Sequence, residues 1–362
     1  MVTTFLVSNN MRKSAFVILV TLIVVISCQK NVSLPGKYTA TPYELKVPKG
    51  FPTPVIPVEN PMTVEGVNLG HMLYFDPILS SNGKSCNTCH TKERSFSSPL
   101  FVSKTGIKTS VPPHLNLAWN PEYNWDGSAP KLDLLPLADF GPDFFNTNMS
   151  DLVQKIKSHP KYPFMFKQAF NVDDVAKLSS DELQLKIVYA LSQFMRTMIS
   201  SNSKCDKMFR REVNFTPEEL DGFQTFSTER GDCFHCHGYP LFSNNSFNNN
   251  GLDSVHLGAD VGLFAVTKNE YDKGKFSAPT LRNIELTAPY MHDGRFQTLE
   301  EVVEFYNSGV HWNSPNIDPL MTKSAKIYGL NLSTTQKANL VKFLKTLTDT
   351  TYLNNPEFAN PL

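Results

Sequence analysis

The 362-residue chain has no surplus of either charge: Lys+Arg and Asp+Glu number 34 each. Without a basic excess it lacks the electrostatic footprint of a nucleic-acid binder. It has no alternating apolar–polar run long enough for a major sheet, which argues against a fold built on β-structure. Its apolar run at Ala15 to Ile26 is too short to span a bilayer comfortably. Cysteine and histidine are scarce, at 6 and 9 residues, so their positions carry information. Proline, at 25, is not scarce. With a moderate apolar share it describes a soluble, loop-rich globular protein, long enough for one large or two ordinary domains.

Four of the six cysteines fall in one repeated device, Cys86-Asn87-Thr88-Cys89-His90 and Cys233-Phe234-His235-Cys236-His237. C-x-x-C-H is the attachment signature of c-type haem. The three-residue step puts both sulfurs on one side of a helical turn, where they add to two vinyl groups on the haem edge. The following His then lies under the iron and supplies a neutral imidazole. Zinc is the main rival, since C-x-x-C pairs also bind it, but the two pairs lie far beyond usual zinc spacing. A thioredoxin-like redox pair would need neither the His nor the second copy. The strings therefore predict two covalent haem c groups, held by Cys86, Cys89 and His90 and by Cys233, Cys236 and His237. Cys205 stands alone and reads as a buried thiol.

The N-terminus reads as a targeting segment. Arg12 and Lys13 form a charged region before the apolar run, and Val25-Ile26-Ser27-Cys28 resembles a bacterial lipobox. Residues 1–28 are thus expected to be a lipoprotein signal peptide, with Cys28 the lipidated start of the mature chain; an uncleaved anchor helix is the alternative. Cleavage removes Arg12 and Lys13 and leaves the mature chain slightly acidic. Either reading exports the protein to the periplasm or cell envelope, in keeping with haem c attachment outside the cytoplasm. Residues 29–62 carry Pro48, Pro52, Pro54, Pro57 and Pro61 and read as an extended tether.

Helical signals follow. A short helix from Thr63 to Phe75 ends at Asp76-Pro77. Ser150 to Ser158 and Asp181 to Ile199 carry apolar residues at helical spacing, the latter capped by Ser179 or Ser180. The Ser/Asn run at Ser200 to Ser203 marks a domain boundary. Thr216-Pro217-Glu218-Glu219 opens the next helix with an N-cap, an N1 proline and a capping-box acid. Helices from Thr298 through Tyr306 and from about Ser333 to Leu347 complete the set. Pro112 and Pro113 exclude helix before His114, which is either a distal haem ligand or a hydrogen-bonded loop histidine. Trp125 is by default a core or surface anchor; between two haems it would also conduct electrons.

From about Thr63 to Thr348 the chain resembles the bacterial dihaem cytochrome c peroxidase and MauG-type superfamily. The strings that carry the resemblance are Leu69-Gly70-His71-Met72-Leu73-Tyr74-Phe75-Asp76, Trp125-Asp126-Gly127, Gly231 to Phe247, Pro279-Thr280-Leu281-Arg282-Asn283 and Leu286 to Gly294. It implies a mainly α fold: two cytochrome c-like haem domains, 63–200 (peroxidatic) and 201–362 (electron transfer), joined by long ordered loops with little β-structure. It places Trp125 between the haems and implies that Thr287 and Pro289 help hold a calcium ion, although Ser110 stands where the family has an Asn, a poorer ligand. Tyr306 falls where peroxidases of the family have a Met and MauG-type members a Tyr haem ligand; a phenolate would favour ferric and higher iron states. Tyr306 packing in its helix is the plain alternative.

Two departures stand out. No His lies between His90 and His114, so the gating distal His is missing. The family's distal Glu, its acid/base, falls on Phe145, and its distal Gln near Leu135; Phe moves no protons, which leaves Asp139 or Asp143 as substitutes. The resemblance implies an oxidoreductase that reduces hydrogen peroxide with electrons from a small cytochrome or cupredoxin. The alternatives are MauG-like oxidation of a partner protein's side chain through Trp125, or a non-enzymatic electron carrier or redox sensor.

Overall fold

The computed structural model describes residues 36–102, 106–323 and 329–362, without the side chains at 99 and 100. The expected signal peptide and Cys28 lie outside the described residues. Among the described residues no helix is long and apolar enough to cross a membrane. Residues Thr39–Leu362 form one compact unit.

The unit is mainly helical. The principal helices are α1 (Val64–Phe75), α2 (Met149–Ser158), α3 (Tyr162–Phe170), α4 (Ser180–Arg196), α5 (Pro217–Phe226), α6 (Leu299–Glu304) and α7 (Thr334–Lys345). The β-structure is slight. Strand β1 (Ser98–Val102) pairs antiparallel with β2 (Lys108–Val111), and β3 (Phe247–Asn248) with β4 (Phe276–Ser277). Local sequence starts most helices. Thr63 caps α1, and Ser179, Thr216, Thr298 and Ser333 each make a capping box at the heads of α4, α5, α6 and α7. Helix α2 begins at Met149, one residue before the expected start, because the Asn148 side chain caps it by accepting from the Asp151 N–H.

Two larger apolar clusters organise the packing. One gathers α1, α4 and their neighbours between Met62 and Met198, with Tyr352 and Phe358 of the C-terminal tail packed in; the other gathers α5, α6 and α7 between Cys205 and Leu347. Each has a close helix crossing at a glycine. A Cβ on Gly70 of α1 would lie 1.9 Å from the Ala190 carbonyl oxygen of α4, and one on Gly222 of α5 would lie 2.0 Å from the Asn339 carbonyl of α7. Only hydrogen in place of a side chain permits either approach.

The proline-rich stretch is extended, as its composition dictates, and its described part from Thr39 to Met62 packs down as a strap. Phe51 and Met62 are buried, and Tyr43, Leu45 and Ile56 lie on the first cluster. Phe51 meets the Trp119 ring edge-on at 5.1 Å, and the Trp119 indole N–H donates to the Pro52 carbonyl at 2.6 Å. Prolines preset the extended backbone, and the apolar residues between them supply the adhesion.

Gly70→Ala and Gly222→Ala are each expected to cost about 1–3 kcal/mol by overpacking a helix crossing. Denaturant melts of the two variants check this; unchanged midpoints would mean the crossings have slack.

Candidate haem-binding sites

The first C-x-x-C-H string folds as a single helical turn, Cys86–Cys89, with Ser85 and Thr88 forming a capping box and His90 at its C-terminal end. His90 Nδ1 lies 2.7 Å from the Phe96 carbonyl oxygen. A carbonyl only accepts, so Nδ1 carries the proton and Nε2 keeps a free lone pair. Burial pulls His90 down to about 4, with the carbonyl bond pulling back, so the ring is neutral at physiological pH.

The second string repeats the arrangement. Cys233–His235 is one 3-10 turn, and His237 Nδ1 lies 3.1 Å from the Phe242 carbonyl. Burial again brings the imidazole down to about 4. The two carbonyl acceptors match in a way that sequence hides. Phe96 and Phe242 both sit at positive φ, 56° and 51°, which is costly for a bulky side chain. Both rings are fully buried, and that packing holds the backbone where its carbonyl meets the histidine.

The thiols discriminate among chemistries. Burial pushes Cys233 up to about 12 and Cys236 to about 11, and raises Cys86 and Cys89 as well. A redox C-x-x-C pair needs a depressed thiol, the opposite shift. Among the described residues the cluster able to hold a metal through His, Cys, Asp and Glu is Glu229, Asp232 and His235, which includes no cysteine, so the pairs have no partners for a zinc shell. Lys323 Nζ reaches into that cluster, 2.7 Å from Glu229 and 3.0 Å from Asp232, and supplies its positive charge.

A cavity of about 230 Å³ opens beside the second string, lined by Cys233, Cys236 and His237 and, among others, Tyr306, Trp125 and Met291. Tyr306 reaches it from a π-helical turn, Phe305–Gly309, that continues α6. Such turns recur at functional sites because the extra residue re-aims one side chain. Burial pushes the Tyr306 phenol up to about 12, while a 3.0 Å bond from Asn250 Nδ2 to its oxygen works the other way. Thiols, a tautomer-fixed imidazole and a phenol on one apolar cavity are a donor set that fits a covalently attached haem.

Comparison with known proteins supplies the family. Residues 64–214 match the model of the di-haem cytochrome c peroxidase family. The methylamine utilization protein MauG of Methylorubrum extorquens is 32% identical over 302 residues, 80% of either chain. The cytochrome c551 peroxidase of Nitrosomonas europaea is 30% identical over 321 residues, 85% of this chain and 87% of that one. A solved MauG-like protein associated with microbial copper homeostasis superposes with a TM-score of 0.77 at 32% identity, covering 88% of this chain and 99% of the other. This chain belongs to the di-haem cytochrome c peroxidase family. It is a peroxidase-like oxidoreductase, and the family implies two c-type haems.

Other residues singled out in the sequence fall as follows. The Trp125 indole N–H donates to the Ser110 carbonyl of β2 at 2.7 Å, and the Trp125 carbonyl accepts from Ser277 of β4 at 2.9 Å. Ser110 Oγ donates to the Pro289 carbonyl at 3.1 Å, and Thr287 Oγ1 to the Ile284 carbonyl at 3.3 Å. Ser110, Thr287 and Pro289 offer no carboxylate, and two of them already bond each other, so they are a weak set for calcium. The His114 ring stacks on His90, centroids 3.4 Å apart and planes at 18°, and its Nδ1 meets the Tyr74 hydroxyl at 3.2 Å. His114 thus sits beside the His90 ring, in the loop after Pro112 and Pro113.

In the segment after Trp125, Phe145 is buried in the first cluster and Leu135 packs against it. The Phe145 N–H donates to the Asp139 carbonyl at 2.8 Å, which ties the two positions. Asp139 stands at the end of a 3-10 stretch, Leu132–Phe140. Burial pushes its carboxyl up to about 7, and its charge is felt at Cys86, Cys89 and Tyr74. Asp143 is half-buried on the next loop.

Sequence reasoning missed Asn250, Phe96 and Phe242. Of these Asn250 had a local signal, a polar residue in the Asn run following β3; the two phenylalanines had none. Phe96→Ala and Phe242→Ala are each expected to cost about 3–5 kcal/mol and to perturb the neighbouring proximal histidine alone. Melts and ferric spectra of each variant test this; equal disturbance at both haems would refute the pairing.

Proposed function

We propose that the chain binds one haem c at each string, in haem domains 63–200 and 201–362, and reduces hydrogen peroxide with electrons from a small donor protein, a cytochrome or a cupredoxin. The observation that carries this is the twice-built proximal site: paired thiols, then a neutral imidazole locked through Nδ1 to a buried carbonyl. Haem, when bound, supplies iron to receive the peroxide oxygen and to take up electrons. The reaction consumes two electrons and two protons per peroxide and releases two waters.

The protons fall to the chain. Phe145 has none to give. Asp139 lies close enough to the first attachment pair for its charge to act on Cys86 and Cys89, and with its carboxyl near 7 it can accept and return a proton at neutral pH. It takes the proton from arriving peroxide and delivers it to the departing oxygen. The electrons enter through the second half, and Trp125 is the route between: its indole is bonded to β2 and its carbonyl to β4 at the wall of the second cavity. Calcium forms no part of this reading, because the Ser110–Pro289 hydrogen bond already joins the groups that would share the ion. The site of action is the periplasm or cell envelope, by export ahead of Cys28 and lipid anchorage there.

One observation favours a second reading. Tyr306 lines the second cavity where it can ligate that haem, which suits stored oxidising power and MauG-like oxidation of a partner protein's side chain through Trp125. Under either reading, Cys86→Ala/Cys89→Ala and Cys233→Ala/Cys236→Ala each lower the covalent haem count of the exported protein from two to one by mass spectrometry. Turnover of peroxide with a reduced cytochrome tests the first reading, and its absence would reject it.

Asp139→Asn is expected to lower the peroxide-dependent rate by about 10²–10⁴-fold. The rate of the unaltered protein should change around pH 7, where Asp139 passes from protonated below to ionised above, and that inflection should be lost in the variant. An unaltered pH profile would remove Asp139 from the mechanism.

A further inference from the structure

Asn250 follows β3 and turns its side chain into the second cavity. Its neighbour Asn249 is buried and anchored three ways, Nδ2 meeting His256, Ser314 and the Pro315 carbonyl at 2.7–3.2 Å. Asn249 Oδ1 also accepts from the Gly251 N–H at 2.9 Å. The backbone on which Asn250 sits is therefore fixed. Its own amide has a determined sense. Oδ1 accepts from the Leu252 N–H at 3.2 Å, and this leaves Nδ2 as the donor aimed at the Tyr306 oxygen, 3.0 Å away. A second, longer contact runs from Nδ2 to the Met291 sulfur at 3.8 Å.

A phenol oxygen that accepts a hydrogen bond has that lone pair occupied and its negative charge, once formed, partly neutralised. A phenolate ligand so bonded gives less electron density to iron and favours the ferric state less strongly. The bond also constrains the direction in which the remaining lone pair points. We infer that Asn250 is the positioning residue for Tyr306 as ligand of the second haem, setting both the aim of the phenolate oxygen and the reduction potential of that haem. This rests on the Tyr306 ligation named above, and concerns the second haem only.

The test uses the haem-loaded protein and three variants, Asn250→Leu, Asn250→Gln and Asn250→Asp, each first weighed for two covalent haems. The readouts are the phenolate–iron vibration in resonance Raman and the midpoint potential of each haem. Expected is a clear phenolate signal in the unaltered protein, altered in Asn250→Leu, with a lower second-haem potential and an unchanged first. Asn250→Gln, which keeps an amide donor, should lie between them. If Asn250→Leu fails to load haem, Asn250→Asp is read instead, since it keeps the shape and replaces the donor with an acceptor; it too should shift the second haem alone. A phenolate signal present and unchanged in the donorless variant would overturn the inference while leaving Tyr306 as ligand. No phenolate signal in the unaltered protein would overturn both.

Discussion

The hydrogen bond from each proximal imidazole to a buried phenylalanine carbonyl is the constraint on which both sites depend. Without it either ring nitrogen could hold the proton, and the ring could turn about its Cβ–Cγ bond. With it the Nε2 lone pair has one direction, and a hydrogen bond from the far ring nitrogen also strengthens the histidine as a ligand. The acceptors are at positive φ, a conformation costing on the order of 1–3 kcal/mol for a residue with a side chain. That cost is met by burying a whole aromatic ring at each place, so proximal geometry and core packing cannot be separated.

The same coupling extends outward from Phe242. The guanidinium of Arg282 lies 5.5 Å from its ring centroid and 4.9 Å from that of Phe51 in the strap. Arg282 is fully buried and makes two 2.8 Å bonds to Asp206 and further bonds to the Pro240 carbonyl. A buried pair of this kind is worth little over an apolar replacement but costs several kcal/mol when one member is lost. Its use here is specificity: it fixes the loop after the second string against both the strap and the helix bearing Asp206. A second buried hub, in which Asn116 bonds Ser200 and Ser200 and Asp349 bond Asn283, does the same for the segment between the two apolar clusters. Rigid spacing is what electron transfer across a fixed gap requires.

What the sequence made legible was local. Capped helices could be placed because Thr63, Ser179, Thr216, Thr298 and Ser333 start helices by bonds to residues two or three positions away. The attachment strings could be read for the same reason, since thioether and ligand chemistry is encoded within five residues. Helix α3 was not visible: Lys161 offers no capping side chain, and Tyr162–Phe170 is too apolar throughout for a clear period. The proline-rich stretch announced its extended backbone but not its adhesion, which depends on residues more than 60 positions away. Positive φ at Phe96 and Phe242 could not be foreseen, because Gly, Asn and Asp are the residues expected there. The π turn that turns Tyr306 into the cavity looked like the end of an ordinary helix, and Asn250 gained its meaning only across 56 residues of chain.

Burial, the largest influence on each, assigns different protonic roles to groups whose ordinary values differ. It lowers His90 and His237 to about 4, so both stay neutral at pH 7 and free to bind metal. It raises the Tyr306 phenol to about 12, so at pH 7 only a metal ion can displace its proton. It raises Asp139 to about 7, which makes that carboxyl, alone of these four, able to gain and lose a proton freely at neutral pH. Asp139 can therefore do acid–base chemistry beside the first string, whereas His237 and Tyr306 at the second each keep one protonation state at neutral pH. A site that splits peroxide needs the former, and a site that passes electrons is better served by the latter, since a ligand that took up protons with each electron would tie electron flow to proton supply. On the proposed reading, the division of labour between the two halves would follow from where Asp139 and Tyr306 are placed.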